Sequence, residues 1–434
     1  MSSFHITAWM REARRAGRLP EKTYLQLLEE HLLEVCGCCG REHDLHVRGL
    51  LVDGIPAIRR GGEEWRQAGQ DVEALLALPR EERVGAIQRA RQRFRSPALA
   101  QQLVDRSFAA LPDNPSGSLE FATLALAVAE QSGCRGMGSV HVLALAHQGN
   151  ALRALGRLPE AGGRFERARR LIRQGVGSGE RLEVITDPAV YAKVAWWEGV
   201  YHRELGQWEP AEEGLNRAVM FFAMARDPES VQRVVLSLSV LYWCSGNVDD
   251  ALEAVVNVLE DLKEEDDPDL YWRTRFNYAV YLVEAGLHET AREELAVCLA
   301  ARRFPRGSFV RRRVQWIEGR IDRELGDLAA AEAKLAAVRA GYLEEGSGIN
   351  MALASLDLGL VYLAQGRTAE LKRIAEELTL IFQANDIQRE AIAAMMLFQE
   401  AVRQEQVGAA HLVRLRKYLE RTRYSPVLQF EQPS

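Results

Sequence analysis

A chain of 434 residues with 47% hydrophobic and 27% charged side chains has ample apolar material for a core and is too balanced for a disordered or fibrous protein. Aromatics at 7% and only 14 prolines, beside abundant Leu, Ala, Arg and Glu, read as mostly helix. A formal charge of −6 argues against wholesale phosphate neutralisation, so no nucleic-acid partner is expected.

Chemistry is sparse. No Lys follows a Gly, which excludes a Walker A phosphate loop, and the chain lacks an HExxH helix, a GxSxG elbow, a Rossmann glycine set and a kinase series. The expectation is a protein that is not an enzyme. Residues 1–20 hold no apolar run of signal-peptide length, and no stretch approaches the roughly 20 apolar residues of a spanning helix. A cytoplasmic protein with no membrane partner follows as the expectation.

In chain order, residues 1–50 read as a small helical Cys/His module. The amphipathic run TYLQLLEEHLLEV leads into CGCCGREHDLH, which gathers Cys36, Cys38, Cys39, His43 and His46 close behind His31, with His5 upstream. A two-residue gap between Cys36 and Cys39 lets both sulfurs face one zinc ion. This segment resembles the zinc-binding anti-sigma domain, in which a helical His precedes a Cys pair. The resemblance implies a zinc held by His31, Cys36 and Cys39 with His5 as fourth ligand, and a sigma factor as partner. Four residues rather than that family's three separate His31 from Cys36, turning a helical side chain by about 100°. Local alternatives use His43 and His46, or Cys38 in place of either Cys. A site that has lost its metal and a redox thiol pair are the competing readings.

Residues 51–96 read as a helical connector broken at Pro79. Residues 97–384 carry the repeats, beginning with a looser unit over 97–131. Gly156, Gly206, Gly246, Gly286, Gly326 and Gly366 each sit in a short polar turn, and after one 50-residue step every step is 40. Five residues past five of them stands an Ala (Ala161, Ala211, Ala251, Ala291, Ala331), and seven before them the residue is always small: Gly149, Gly199, Ser239, Ala279, Gly319, Gly359. A Gly stopping one helix and small residues on both sides of the turn describe a closely packed antiparallel helix pair. The spacing resembles the tetratricopeptide repeat (TPR) family, in extended units. The resemblance implies an all-α, right-handed superhelix of stacked helix pairs, whose first helices line a concave groove for partner peptides. Residues 385–425, where the pattern lapses, read as a capping helix pair, and 426–434 as a tail.

Thirteen residues before four successive turn glycines stand Lys193, Arg233, Arg273 and Arg313, and three residues later Trp196, Leu236, Phe276 and Trp316. Cations and aromatics one turn apart on one helix face suit a protein or peptide partner that is acidic, or ends in a carboxylate, with large apolar anchors. Alternatively, the aromatics pack between units and the cations pair with acids such as Glu204, Glu284 and Glu324. The resulting expectation is an interaction adaptor or regulator with a zinc-stabilised N-terminal module, or a transcription regulator that sequesters a sigma factor through residues 1–95.

Overall fold

The computed structural model describes residues 55–90, 93–131, 137–177, 183–305, 307–384 and 408–422, together with Met396, Phe398, Gln399 and Val402. The residues that would hold zinc (His5, His31, Cys36, Cys38, Cys39, His43, His46) lie outside them. Among the described residues all regular structure is helical, apart from one isolated bridge between Val176 and Glu183. None of these helices is long and apolar enough to cross a membrane.

The helices are α1 (Ile55–Leu76), α2 (Arg80–Arg89), α3 (Pro97–Ala110), α4 (Pro115–Gln131), α5 (Gly138–Ala154), α6 (Leu158–Gln174), α7 (Pro188–Glu204), α8 (Trp208–Met224), α9 (Pro228–Ser245) and α10 (Val248–Asp261). They continue as α11 (Pro268–Glu284), α12 (His288–Ala300), α13 (Ser308–Glu324), α14 (Leu328–Glu344), α15 (Gly348–Ala364), α16 (Thr368–Ala384) and α17 (Ala409–Thr422). The described chain divides into two compact units. The first takes α1, α2, α3 as far as Arg106, and α4 from Leu124. Ala68, Val72, Leu75, Leu99 and Leu103 are buried in it, and the Arg93 guanidinium bonds Asp71 at 3.0 Å. The second takes residues 107–123 and everything from α5 onward.

In the second unit the 40-residue period is a stack of antiparallel pairs, α5/α6 to α15/α16. The physical cause is local. All six turn glycines have positive φ, from 68° at Gly206 to 94° at Gly246. The next amide reaches back over each turn: Gln207 N–H donates to the His202 carbonyl at 3.0 Å, and Leu287 N–H to Leu282 at 2.9 Å. This is the Schellman arrangement, which satisfies the helix-end carbonyls and reverses the chain in two residues. The repeated Asp-Pro pairs start the following first helices. Asp187, Asp227 and Asp267 cap α7, α9 and α11 through their carboxylates, with Pro188, Pro228 and Pro268 in the first turn.

Small residues then set the distance within each pair. A Cβ on Gly199 would stand 2.9 Å from Leu215 Cγ and 3.0 Å from the Ala211 carbonyl oxygen, and one on Gly319 2.9 Å from Leu335 Cγ. Ala161, Ala211, Ala251, Ala291 and Ala331 are fully buried on the opposing helices. The additional length of the one 50-residue step falls between α6 and α7, where Val176 and Glu183 form the isolated bridge and the Glu183 carboxylate accepts the Gly138 amide at the start of α5. At the other end α15 is buried almost without interruption from Met351 to Tyr362. Phe398, Val402, Leu412, Leu415, Tyr418 and Leu419 share its core cluster with residues of α14 and α16. A helix apolar on all sides needs such cover.

Candidate functional site

The candidate site is the surface built by consecutive first helices. Lys193, Trp196, Val200 and Arg203 follow one another at helical spacing on α7, with Trp196 and Arg203 three and four residues from Gly199. Side chains on this surface bridge from one first helix to the next: Trp196 Nε1–H donates to Ser237 Oγ at 2.9 Å, Ser239 and Tyr281 hydroxyls lie 3.2 Å apart, and Trp316 Nε1–H donates to Asp357 Oδ2 at 2.7 Å.

The ladder is placed as follows. Lys193 is half-buried. Arg233 pairs with Asp267, the N-cap of α11. Arg273 is 60% exposed and reaches Asp269 at 3.4 Å, within its own helix. Arg313 lies over the Phe276 ring, 5.2 Å from its centroid, a cation–π arrangement. Of the aromatics, Phe276 is buried against Phe304, Leu236 is buried, and Trp316 meets Tyr342 edge-on at 5.7 Å. The acids the sequence offers as partners take different cations: Glu204 binds Arg153, Glu284 binds Arg320, and Glu324 binds Arg323. Of the ladder cations, Arg233 instead uses Asp267, one of the aspartates that the Asp-Pro recurrence at 187, 227 and 267 marks in the sequence, and Arg273 uses Asp269 two residues on.

Three zones differ along this surface. At the start, Phe108, His147, Trp197 and Trp196 form an aromatic chain, with His147 4.4 Å edge-on from Trp197. Burial, aided by repulsion from Lys193, takes the His147 imidazole down to about 3. The folded state therefore holds it neutral, and it contributes stability in full above its ordinary value of 6.5 that is lost as pH falls toward 3. Urea midpoints measured at about pH 7.5 and about pH 5 are expected to fall with acidification, at up to about 1.4 kcal/mol per pH unit for this group, and His147→Phe to flatten that dependence. In the middle, Arg153 donates to Asn150 Oδ1 at 2.9 Å and to Glu204, which Arg203 also approaches.

At the far end stands a buried ionic cluster. Asp357, with no exposed surface, accepts from Trp316, from Arg323 at 3.3 Å and from Arg416 of α17 at 3.1 Å. Glu284 receives Arg320 at 2.7 Å, with Arg416 at 3.6 Å. Burial pushes the Asp357 carboxyl up, but the three guanidiniums outweigh it and hold it at about 2. Glu284 is likewise driven up by burial and held well below its usual range by Arg320 and Arg416. α17 thus lies against the first-helix surface of the last units. Asp357, Arg320, Arg323 and Arg416 were not singled out from the sequence, although the WxxxxxxRE spacing of Trp316, Arg323 and Glu324 repeats that of Trp196, Arg203 and Glu204.

Cys244 and Cys298 are buried and in no disulfide, as small core residues. No group of three or more His, Cys, Asp and Glu among the described residues could hold a metal.

No family model matches the sequence, and no curated protein matches it. Among solved structures, a Rap protein complexed with Competence and Sporulation Factor is similar with a TM-score of 0.56 at 11% identity, covering 73% of this chain and 85% of that one. The apo form of RapI gives 0.50 at 13% identity with the same coverages. The fold is that of a TPR-like helical-repeat solenoid.

Proposed function

We propose that this chain is a non-enzymatic adaptor or regulator that holds an extended, acidic peptide segment of a partner protein on its first-helix surface, the groove of the stack. The observation that carries the reading is the recurrence, unit after unit, of a cation and a large apolar side chain on that one face, from Lys193 and Trp196 to Arg313 and Trp316. Extended helical-repeat surfaces suit linear ligands better than small closed pockets suit catalysis. The similar Rap protein was solved with a factor bound, which agrees with a binding role.

Panning the full chain against random dodecapeptides tests this. Enrichment of Asp or Glu beside Trp, Phe or Leu, and loss of the selected peptides in Lys193→Glu and Arg273→Glu, is the expected outcome. Equal recovery by both variants would sink the groove reading. The N-terminal module is proposed to be held by zinc through Cys36, Cys39, His31 and His5, with His43, His46 and Cys38 as the alternative donors. Elemental analysis is expected to find one zinc per chain, and free alkylation of Cys36 and Cys39 in the metal-free native protein would remove the site. Sigma-factor capture that disappears with residues 1–95 would transfer the function to that module.

A further inference from the structure

The chain contains its own comparison for the middle of the groove. In the unit begun by α13, Trp316 Nε1–H donates to Asp357, and Arg323 lies seven residues on. That guanidinium is met by two carboxylates, Glu324 at 2.9 Å from Nε and Asp357 at 3.3 Å from Nη1. Exactly three 40-residue steps earlier the same residues recur as Trp196, Arg203 and Glu204. Trp196 makes the equivalent indole bond, but to Ser237, the position equivalent to Asp357.

Arg203 is as enclosed as Arg323, its side chain 14% exposed against 13%. Its surroundings are poorer by one acid. Glu204 Oε1 stands 3.6 Å from Arg203 Nη2 and is already taken by Arg153. Arg203 Nε is buried with no hydrogen-bond partner. Two guanidiniums therefore share one carboxylate, a net positive charge in an enclosed place, whereas the repeat-equivalent Arg323 has a second acid. Removing a guanidinium from water is costly unless it is paired and hydrogen-bonded, and a forked carboxylate contact is the pairing its geometry favours.

We infer that Arg203, which shares Glu204 with Arg153, is a carboxylate-binding subsite of the groove, and that an acidic group of the bound peptide takes the place that Asp357 fills three units later, where the equivalent residue here is Ser237. This deepens the peptide-binding reading and rests on it for the identity of the ligand, while the subsite itself stands on the internal comparison. The carboxylate belongs either to an Asp or Glu side chain or to the peptide's C-terminus.

Two measurements test the subsite. Ser237→Asp supplies the acid from within the chain: it is expected to raise the melting midpoint relative to Ser237→Asn, and the gain is expected to vanish when Arg203→Met is added. No gain, or the same gain without Arg203, would overturn the inference. In the second, N-acetylaspartic acid amide, N-acetylglycine and the neutral N-acetylasparagine amide are titrated while the Trp196 indole N–H resonance is followed. Saturable shifts with the acids alone, lost in Arg203→Met and in Ser237→Asp, support the subsite, and the stronger of the two acids tells side chain from terminus. Equal shifts with the neutral amide, shifts that persist in Arg203→Met, or no shift with any of the three would refute it. If peptide panning fails while the Ser237→Asp coupling to Arg203 holds, the peptide reading falls and the subsite survives. The converse removes only the subsite.

Discussion

Replacing Asp357 by Leu is expected to destabilise the protein by about 3–5 kcal/mol, because it strands several charges at once. The carboxylate has no exposed surface and is the shared acceptor of Trp316, Arg323 and Arg416. Arg320 and Arg416 are themselves buried, and Glu284 would be left as the acid facing both. Leucine matches the volume of the side chain tolerably, so the loss reads the uncompensated charge rather than a cavity. Asp357→Asn keeps an acceptor for the Trp316 indole and is expected to lose less. Urea unfolding of both variants against the parent chain measures the difference, and an effect below about 1 kcal/mol for Leu would show that water screens the cluster. The same cluster gives acid sensitivity of definite sign. Its carboxyls are depressed in the folded state, so their contribution is present above the ordinary carboxylate range and disappears as pH falls through about 2.

Phe165→Ala is expected to cost about 3–5 kcal/mol, and the second substitution that offsets part of this loss lies sixteen residues upstream. Phe165 is 1% exposed and lies directly against Gly149, where an added Cβ would stand 2.8 Å from the ring's Cζ. The small residue of α5 and the large one of α6 are two halves of one contact. Gly149→Ala in the parent chain overpacks it, at about 1–3 kcal/mol. In the Phe165→Ala background the same methyl enters space that the ring has left. The double variant is therefore expected to be more stable than the sum of the single losses allows, by a coupling of about 0.5–3 kcal/mol. Denaturant midpoints of the four-member cycle decide this, and strict additivity would mean that α5 and α6 move apart rather than interlock.

The pairing of the helices was legible because each unit solves the same local problem with nearly the same residues. A left-handed residue is needed to reverse the chain, and Gly supplies it at six turns. Close approach needs small side chains, and these recur at fixed offsets from the turn. Such demands depend on a few neighbouring residues, so a single sequence displays them. The cation and aromatic positions were legible for the same reason, as register marks on one helix face.

What those side chains contact was another matter. Arg233 and Arg273 are bound to aspartates at the start of α11, and Arg313 rests on Phe276, whereas Glu204, Glu284 and Glu324 serve arginines outside the ladder. The pairs that cross from unit to unit, Arg233 with Asp267, Arg153 with Glu204 and Arg320 with Glu284, are chosen by the stagger of one unit on the next, a quantity of a few ångströms that no spacing along the chain records. Arg416 shows this best, since it reaches Glu284 and Asp357 from a helix whose sequence has lost the repeat altogether.

The sequence by itself thus determined the repeating helix pair, its turns, its small-residue seam and the face on which cations and aromatics line up, because each depends on backbone conformation and side-chain size within about forty residues. Only the tertiary structure decided which charges cancel. Stacking carries the acid of one unit to the guanidinium of another, completing Arg323 with Asp357 and giving Arg203 only a share of Glu204.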